Sequence, residues 1–159
     1  HASGALFRYF ENKEVLYIAV LEQKIQELLT CLENSSGEVS DPVEALRISI
    51  RAQLDFASRN RAFIQIYFRE RMEVTRAGKH WQAVDALVQQ LIQWRADGIA
   101  RGQQHGLFHH GEPRLYALAM EGMISGLVRD WTTRETDQPI ADHTELVIAM
   151  CLHGLLRHS

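Results

Sequence analysis

Apolar residues recur at steps of three and four along almost the whole chain, which is the period of one face of a helix. In segment 12–33 the repeat consists of Ile18, Leu21, Ile25, Leu28 and Leu32. Similar repeats predict a short first helix over 3–9 and later helices over 41–58, 62–72, 79–101, 113–134 and 140–156. No segment shows the sustained polar and apolar alternation that a half-buried strand needs. The pattern therefore predicts an all-α fold.

Prolines, glycines and capping residues predict where these helices begin and end. Three of the apolar repeats begin at a proline, a residue favoured in the first turn of a helix, namely Pro42, Pro113 and Pro139. Asp41 directly precedes one of them and can cap that helix. Glycines predict loops in 34–40 and 102–111. Asn12 predicts a turn at 10–12 between the first two helices.

The last two predicted helices are apolar on more than one side. The helix over 113–134 has two apolar stripes, and the run 146–152 in the last helix is almost wholly apolar. A domain of this length has a limited interior, so the rest of the chain or a second subunit must cover these surfaces. We expect a second subunit to cover part of them.

Composition narrows the class of protein. The chain has 159 residues, of which 46% are apolar and 23% charged, so it can bury one core and is neither disordered nor fibrous. The longest apolar run is too short to cross a bilayer, and no secretion signal opens the chain, so we expect a cytoplasmic protein with no membrane partner. Cys31 and Cys151 lie in apolar helical patterns, without the spacing of a zinc site or redox pair. The net charge of −3 gives no overall attraction to nucleic acid, although a local basic patch could still bind it.

The stretch from Ser3 to Leu16, SGALFRYFENKEVL, resembles the most characteristic segment of the tetracycline-repressor (TetR) family of bacterial transcription regulators. The resemblance implies that it is the recognition helix of a helix-turn-helix and the start of the helix behind it. Ser3 and Gly4 would then face base edges, while Phe7, Tyr9 and Lys13 would lie along the DNA backbone. Family members have two further helices before this stretch, so we expect the chain to lack the front of its DNA-binding module.

The resemblance also implies a division of the chain at residue 33. Residues 1–33 would be the remnant of the DNA-binding domain with its linking helix, and residues 34–159 a ligand-binding and dimerisation domain. In the family the last two helices of each subunit form a four-helix bundle between the subunits. The interface candidates in this sequence are Tyr116, Met120, Leu127, Leu146, Met150 and Leu155.

The resemblance also implies an internal ligand cavity in each subunit, which we place where aromatic residues exceed what a core needs. The candidates for its wall are Phe63, Tyr67, Trp81, Val84, Val88, Met123 and Trp131. Polar residues that could orient a ligand are Gln53, Tyr67, Arg71, Gln90 and Arg95. Each of these would be costly to bury without a partner, so a buried one needs a reason.

Two alternatives stay open. His105, His109 and His110 could hold a transition metal if they lay on a helix, although Gly106 and Gly111 favour a loop. The arrangement of a zinc protease, a nucleophile elbow and a phosphate-binding glycine loop are all missing, so we predict no enzyme activity, no cofactor and no metal site. A helical metal-binding enzyme is one alternative, and an adaptor dimer without a ligand is the other.

We predict a ligand-responsive, DNA-binding transcriptional regulator, specifically a repressor that a small apolar or amphipathic effector releases from its operator. Its partners would be operator DNA, the effector and a second copy of the chain.

Overall fold

A computed structural model describes the backbone of residues 2–73 and 79–157 and the side chains at positions 4, 5, 8, 13–70 and 81–157. The described chain forms the helices α1 (Ala2–Ser36), α2 (Pro42–Arg59), α3 (Arg61–Glu73), α4 (Lys79–Gln104), α5 (Pro113–Thr133) and α6 (Thr144–Leu155). A 3-10 turn, Ile140–His143, directly precedes α6. The predicted all-α fold is confirmed.

The helix starts follow the local signals in the sequence. Pro42 and Pro113 stand in the first turns of α2 and α5, and the Asp41 carboxylate accepts a hydrogen bond of 2.9 Å from the Val43 amide. The predicted helix over 140–156 is divided at Thr144, whose hydroxyl donates a hydrogen bond of 2.7 Å to the Ala141 carbonyl. A side-chain cap therefore marks the start of α2, and a proline marks the start of both α2 and α5.

The first helix departs from the predicted boundaries. α1 continues without a break through residues 10–12, where we predicted a turn. That prediction was wrong because the sequence holds neither glycine nor proline between Ala5 and Ser36, so nothing interrupts the helical hydrogen bonds. The predicted domain division at residue 33 falls inside the last turn of this helix.

The main apolar core lies between α2, α4, α5 and α6 and includes Ile50, Leu54, Ile99, Ile124 and Ile148. Two smaller clusters attach α1 to this body. Ile18 and Leu21 pack with Trp81 of α4, and further along α1 Leu29 and Leu32 pack with Leu91. The second half of α1 is therefore fixed to the body by apolar contacts.

The connection between α4 and α5 is held by a close approach of Gly102 to Phe108. A Cβ atom at Gly102 would come within 2.1 Å of the fully buried Phe108 ring, so only glycine fits there.

No described helix is both long enough and apolar enough to cross a membrane.

Candidate ligand-binding site

A cavity of about 180 Å³ lies between α1, α2, α3, α4 and α5. Its wall is mostly apolar and includes Leu21, Ile25 and Leu28 from α1, Phe56 and Ala57 from α2, Phe63, Ile64, Tyr67 and Phe68 from α3, Val88, Leu91 and Ile92 from α4, and Ile124 and Val128 from α5. Its polar members are Lys24, Gln53, Glu121 and Ser125. An apolar chamber with a few polar groups is the ordinary form of a small-molecule site.

One wall of the cavity belongs to a buried polar network. The Arg95 Nε donates a hydrogen bond of 2.6 Å to Glu121 Oε1, and Gln53 Nε2 donates one of 3.0 Å to Glu121 Oε2. The same arginine donates to the Gln53 side-chain oxygen and, over 3.2 Å, to the Ser49 hydroxyl. Three helices, α2, α4 and α5, are thereby joined through one closed set of bonds.

The charges in this network offset each other. The Arg95 side chain is only 1% exposed and that of Glu121 11% exposed, so both charges have lost most of their hydration. Such a pair is tolerated only when geometry and additional hydrogen bonds are good, as they are here. Gln53 and Glu121 line the cavity, whereas Arg95 and Ser49 line a smaller cleft beside the segment that joins α1 to α2.

α1 contributes a second charge to the cavity wall. The half-buried Lys24 lies between the apolar lining positions Leu21 and Ile25, and its Nζ is 3.2 Å from a carboxylate oxygen of Glu27. The cavity therefore has a cationic group on α1 and a carboxylate on α5.

Two groups outside the cavity lining have raised pKa values. Burial raises the pKa of the Cys151 thiol to about 11, against the smaller opposing effect of the Arg95 charge. Burial and the charge of Glu70 raise the pKa of Tyr17 to about 12. The Tyr17 hydroxyl is buried and has no hydrogen-bond partner among the described residues. Both groups therefore stay protonated at neutral pH.

The structure brings together only some of the predicted ligand-binding residues. Phe63, Tyr67 and Val88 line the cavity. Trp81 and Val84 instead pack in the cluster that attaches α1 to α4. These last two positions are corrected to core, because an aromatic or aliphatic stripe at helical spacing looks the same in both settings.

The other two predicted wall residues also lie outside the lining. Met123 packs against the main core. The Trp131 indole donates a hydrogen bond of 2.8 Å to the Gln138 carbonyl, and the Arg61 guanidinium lies 4.7 Å from the centre of its ring. Neither position lines this cavity: Met123 packs in the core, and Trp131 lies near the end of α5, where it lines a separate cleft.

Of the predicted polar residues, Gln53 and Arg95 are in the network, while Gln90 is exposed. The Arg71 side chain lies outside the described residues. Sequence reasoning missed Glu121 and the whole contribution of α1. A signal for Glu121 was present, since it interrupts the apolar stripe Ala117, Ile124 and Val128 at the same spacing.

A second candidate site is the exposed surface of α5 and α6. Among the predicted interface residues, Leu146 and Met150 are more than half exposed, whereas Tyr116 and Leu127 are half-buried. Met120 and Leu155 are buried inside their own chain, so their assignment to the interface is corrected to core. Leu115 and Leu118, which sequence reasoning missed, are exposed on α5.

Three glycines lie in the same two helices. A Cβ atom added at Gly122, Gly126 or Gly154 would meet nothing within 4 Å. We define the outer face as the surface that carries the exposed residues Leu115, Leu118, Gly122, Gly126, Leu146, Met150 and Gly154. This surface combines large apolar side chains with small residues that allow another helix to approach closely.

The predicted DNA-binding residues lie on the first four turns of α1. Gly4 and Lys13 are exposed. The side chains of Ser3, Phe7 and Tyr9 lie outside the described residues.

The histidine-rich segment is not helical, because α4 ends at Gln104. His105, His109 and His110 are exposed in the connection before α5. The described side chains contain no group of three or more residues able to hold a metal ion.

Comparisons with known proteins bear on the function of the cavity and of the outer face. The family described as tetracyclin repressor-like, C-terminal domain, matches residues 39–155. No curated protein sequence matches the chain.

Solved structures share the fold. The ketosteroid transcriptional regulator KstR2 of Mycobacterium tuberculosis is 18% identical, with 98% of this chain and 79% of that chain covered at a TM-score of 0.78. The regulator FadR of Bacillus subtilis, solved with stearoyl-CoA, is 18% identical, with 95% and 81% covered at 0.77. AibR, solved with isovaleryl coenzyme A and operator DNA, is 18% identical, with 91% and 77% covered at 0.71.

Proposed function

The chain belongs to the TetR family of transcriptional regulators, and from this premise we propose that it is a repressor released from its operator by an effector bound in the cavity. The observation that carries the proposal is the course of α1. One continuous helix contributes Leu21, Lys24, Ile25 and Leu28 to the cavity wall and bears the DNA-binding candidates Ser3, Gly4, Phe7, Tyr9 and Lys13 near its start. A ligand that shifts this helix shifts the candidates with it.

The mechanism is a change in population between two arrangements of α1. An effector favours release only if it binds the released arrangement more tightly than the operator-bound one. In a dimer, two recognition helices must be separated by about 34 to 36 Å to enter successive major grooves. A small rotation of α1 about the cavity changes this separation.

The effector is an apolar or amphipathic small molecule. Most of the cavity wall is aliphatic or aromatic, which favours an apolar body, and Lys24 offers one cationic group for a polar or anionic head. FadR and AibR, which share the fold, were solved with acyl derivatives of coenzyme A. These relatives support an acyl-bearing effector as the first class of compound to test.

The working form is a homodimer that uses the outer face. Leu118 and Met150 are large apolar side chains exposed to solvent on adjacent helices, and a second subunit would bury them. Glycines beside them allow close helix contact. The outer face would suit an adaptor dimer as well, so the feature that favours a regulator is the cavity, for which an adaptor has no use.

A DNA-release assay tests the proposal. The protein, expressed from its complete reading frame, selects duplexes from a random library, and anisotropy then reports their release as compounds extracted from the purified protein are added. We expect release by at least one retained compound, and native mass spectrometry should show that compound on a dimer.

The matched variants are Val88→Phe and Val20→Phe. The first fills the cavity, and the second places the same group on an exposed part of α1 outside it. The proposal predicts that Val88→Phe binds DNA but no longer responds, whereas Val20→Phe responds normally. An unchanged response of the Val88 variant would contradict the cavity as the effector site.

A further inference from the structure

The polar wall of the cavity has unused hydrogen-bonding capacity. An ionised carboxylate offers about four acceptor positions, and Glu121 uses one on each oxygen. The Gln53 amide nitrogen carries two hydrogens and donates one to Glu121. Both residues line the cavity, so this wall offers further acceptor positions beside a donor.

The positive charge of the network, on Arg95, does not line the cavity. The Arg95 guanidinium is buried behind Gln53 and Glu121, donates to both and to Ser49, and takes no part in the cavity lining. A ligand group in the cavity therefore meets the carboxylate before the guanidinium. An anion placed there faces a like charge without a free cationic donor, whereas a hydroxyl can donate to Glu121 and accept from Gln53.

We propose that Glu121 and Gln53 form a recognition site for a hydroxyl group on the apolar part of the effector. This inference rests on the proposed function, since it assigns the chemistry of a ligand in that cavity. The two residues determine specificity, because a buried carboxylate rejects a second anion, and an ether oxygen can accept from Gln53 but has no hydrogen to donate to Glu121.

Three matched probes test the site, namely octanol, octanoate and methyl heptyl ether. Octanol and the ether have the same number of heavy atoms, but only octanol donates a hydrogen bond. Binding to the full chain is measured by calorimetry at neutral pH. We expect octanol to bind roughly tenfold more tightly than the ether, the effect of one hydrogen bond made or lost. In the Lys24→Met protein, which lacks the cationic group of the α1 wall, octanol should also bind more tightly than octanoate.

Two single variants test which wall of the cavity produces the preference for octanol. Glu121→Gln keeps the shape and removes the charge, so the ratio of octanol to octanoate affinity should fall. Lys24→Met removes a charge from the α1 wall of the same cavity and should leave the ratio of octanol to ether affinity unchanged. Because Glu121→Gln leaves Arg95 without its counter-charge, the double variant Arg95→Met with Glu121→Gln serves if the single one does not fold.

The outcomes separate the inference from the proposed function. Equal or tighter binding of octanoate to the Lys24→Met protein, or a preference for octanol that survives the loss of Glu121, would overturn the hydroxyl site while leaving the cavity as an effector site. Failure of all three probes to bind would count against the cavity itself and so against both.

Discussion

The two sides of α5 differ in which residues they bury: the inner side buries a charged residue, and the outer side exposes large apolar ones. The inner side carries Glu121, a charged residue that is 8% exposed, whereas the outer side exposes Leu115 at 61% and Leu118 at 39%. In a helix shaped only by its own core, the carboxylate would face water and the leucines would face inward.

The difference lies in what each side meets within the chain. Inside, Arg95 and Gln53 provide that partner within the same chain, and the network is complete. Outside, no described residue covers the leucines, so any partner must come from elsewhere. The charges on the inner side are thus paired within the chain, and some hydrogen-bonding positions remain free. The outer side has apolar surface that the described chain leaves exposed.

The largest expected effect comes from removing the inner partner. Arg95→Met leaves the Glu121 carboxylate buried without its counter-charge, and breaking a buried pair in this way costs about 3–5 kcal/mol. Urea unfolding followed by circular dichroism should show this loss. The double variant Arg95→Met with Glu121→Leu should recover most of it, because no unpaired charge then remains. If the single and double variants were equally unstable, the pair would not be what stabilises this wall.

On the outer side, a new charge should act on assembly and leave folding unchanged. Leu118→Glu or Met150→Glu should weaken the proposed dimer by about 2 kcal/mol or more, roughly a thirtyfold rise in its dissociation constant. Analytical ultracentrifugation measures this. Leu107→Glu is the matched control, since Leu107 is 37% exposed and lies in the connection before α5. A dimer that tolerates both changes on the outer side would place the interface elsewhere.

The helices were predictable from the sequence because their signals are local. Asp41 and Pro42 determine the start of α2 through one hydrogen bond and one fixed dihedral. The predicted break in α1 failed because a lone Asn12 cannot end a helix that is otherwise built of residues compatible with helix.

The candidate site was less predictable because it is assembled from distant residues. Phe63 and Trp81 both lie on apolar helical stripes, yet one lines the cavity and the other packs in a core cluster. Similarly, Met120 and Met150 belong to similar stripes, but only the second is exposed. Helical period shows which residues share a face and leaves open what that face meets.

A smaller effect on stability should come from the pH dependence of the buried Cys151 thiol. The folded state holds the Cys151 proton up to a pKa of about 11, whereas the unfolded chain releases it near 9.0. The unfolded state therefore binds fewer protons between these values, and stability falls as pH rises through them. From pH 8 to pH 10 the loss from this thiol is about 1 kcal/mol.

The Cys151→Ala variant isolates this contribution. Its lower overall stability is expected from the lost packing, but its unfolding free energy should decline less steeply between pH 8 and pH 10 than that of the unaltered chain. Cys31→Ala, at a half-buried thiol, is the control. Parallel curves for all three proteins would mean that burial does not hold the Cys151 proton.

The smallest effect should have opposite signs for the monomer and the dimer. Gly126→Ala adds a methyl group that meets nothing within 4 Å in the single chain, and alanine is favoured over glycine in a helix by about 0.5–1 kcal/mol. Unfolding of the isolated chain should therefore become harder. If a second α5 packs closely at this glycine, the same methyl group should weaken association, which dilution in an ultracentrifuge detects. A variant stabilised both as monomer and as dimer would show that no helix of the partner approaches here, and the exposed leucines of α5 would then need a different kind of partner.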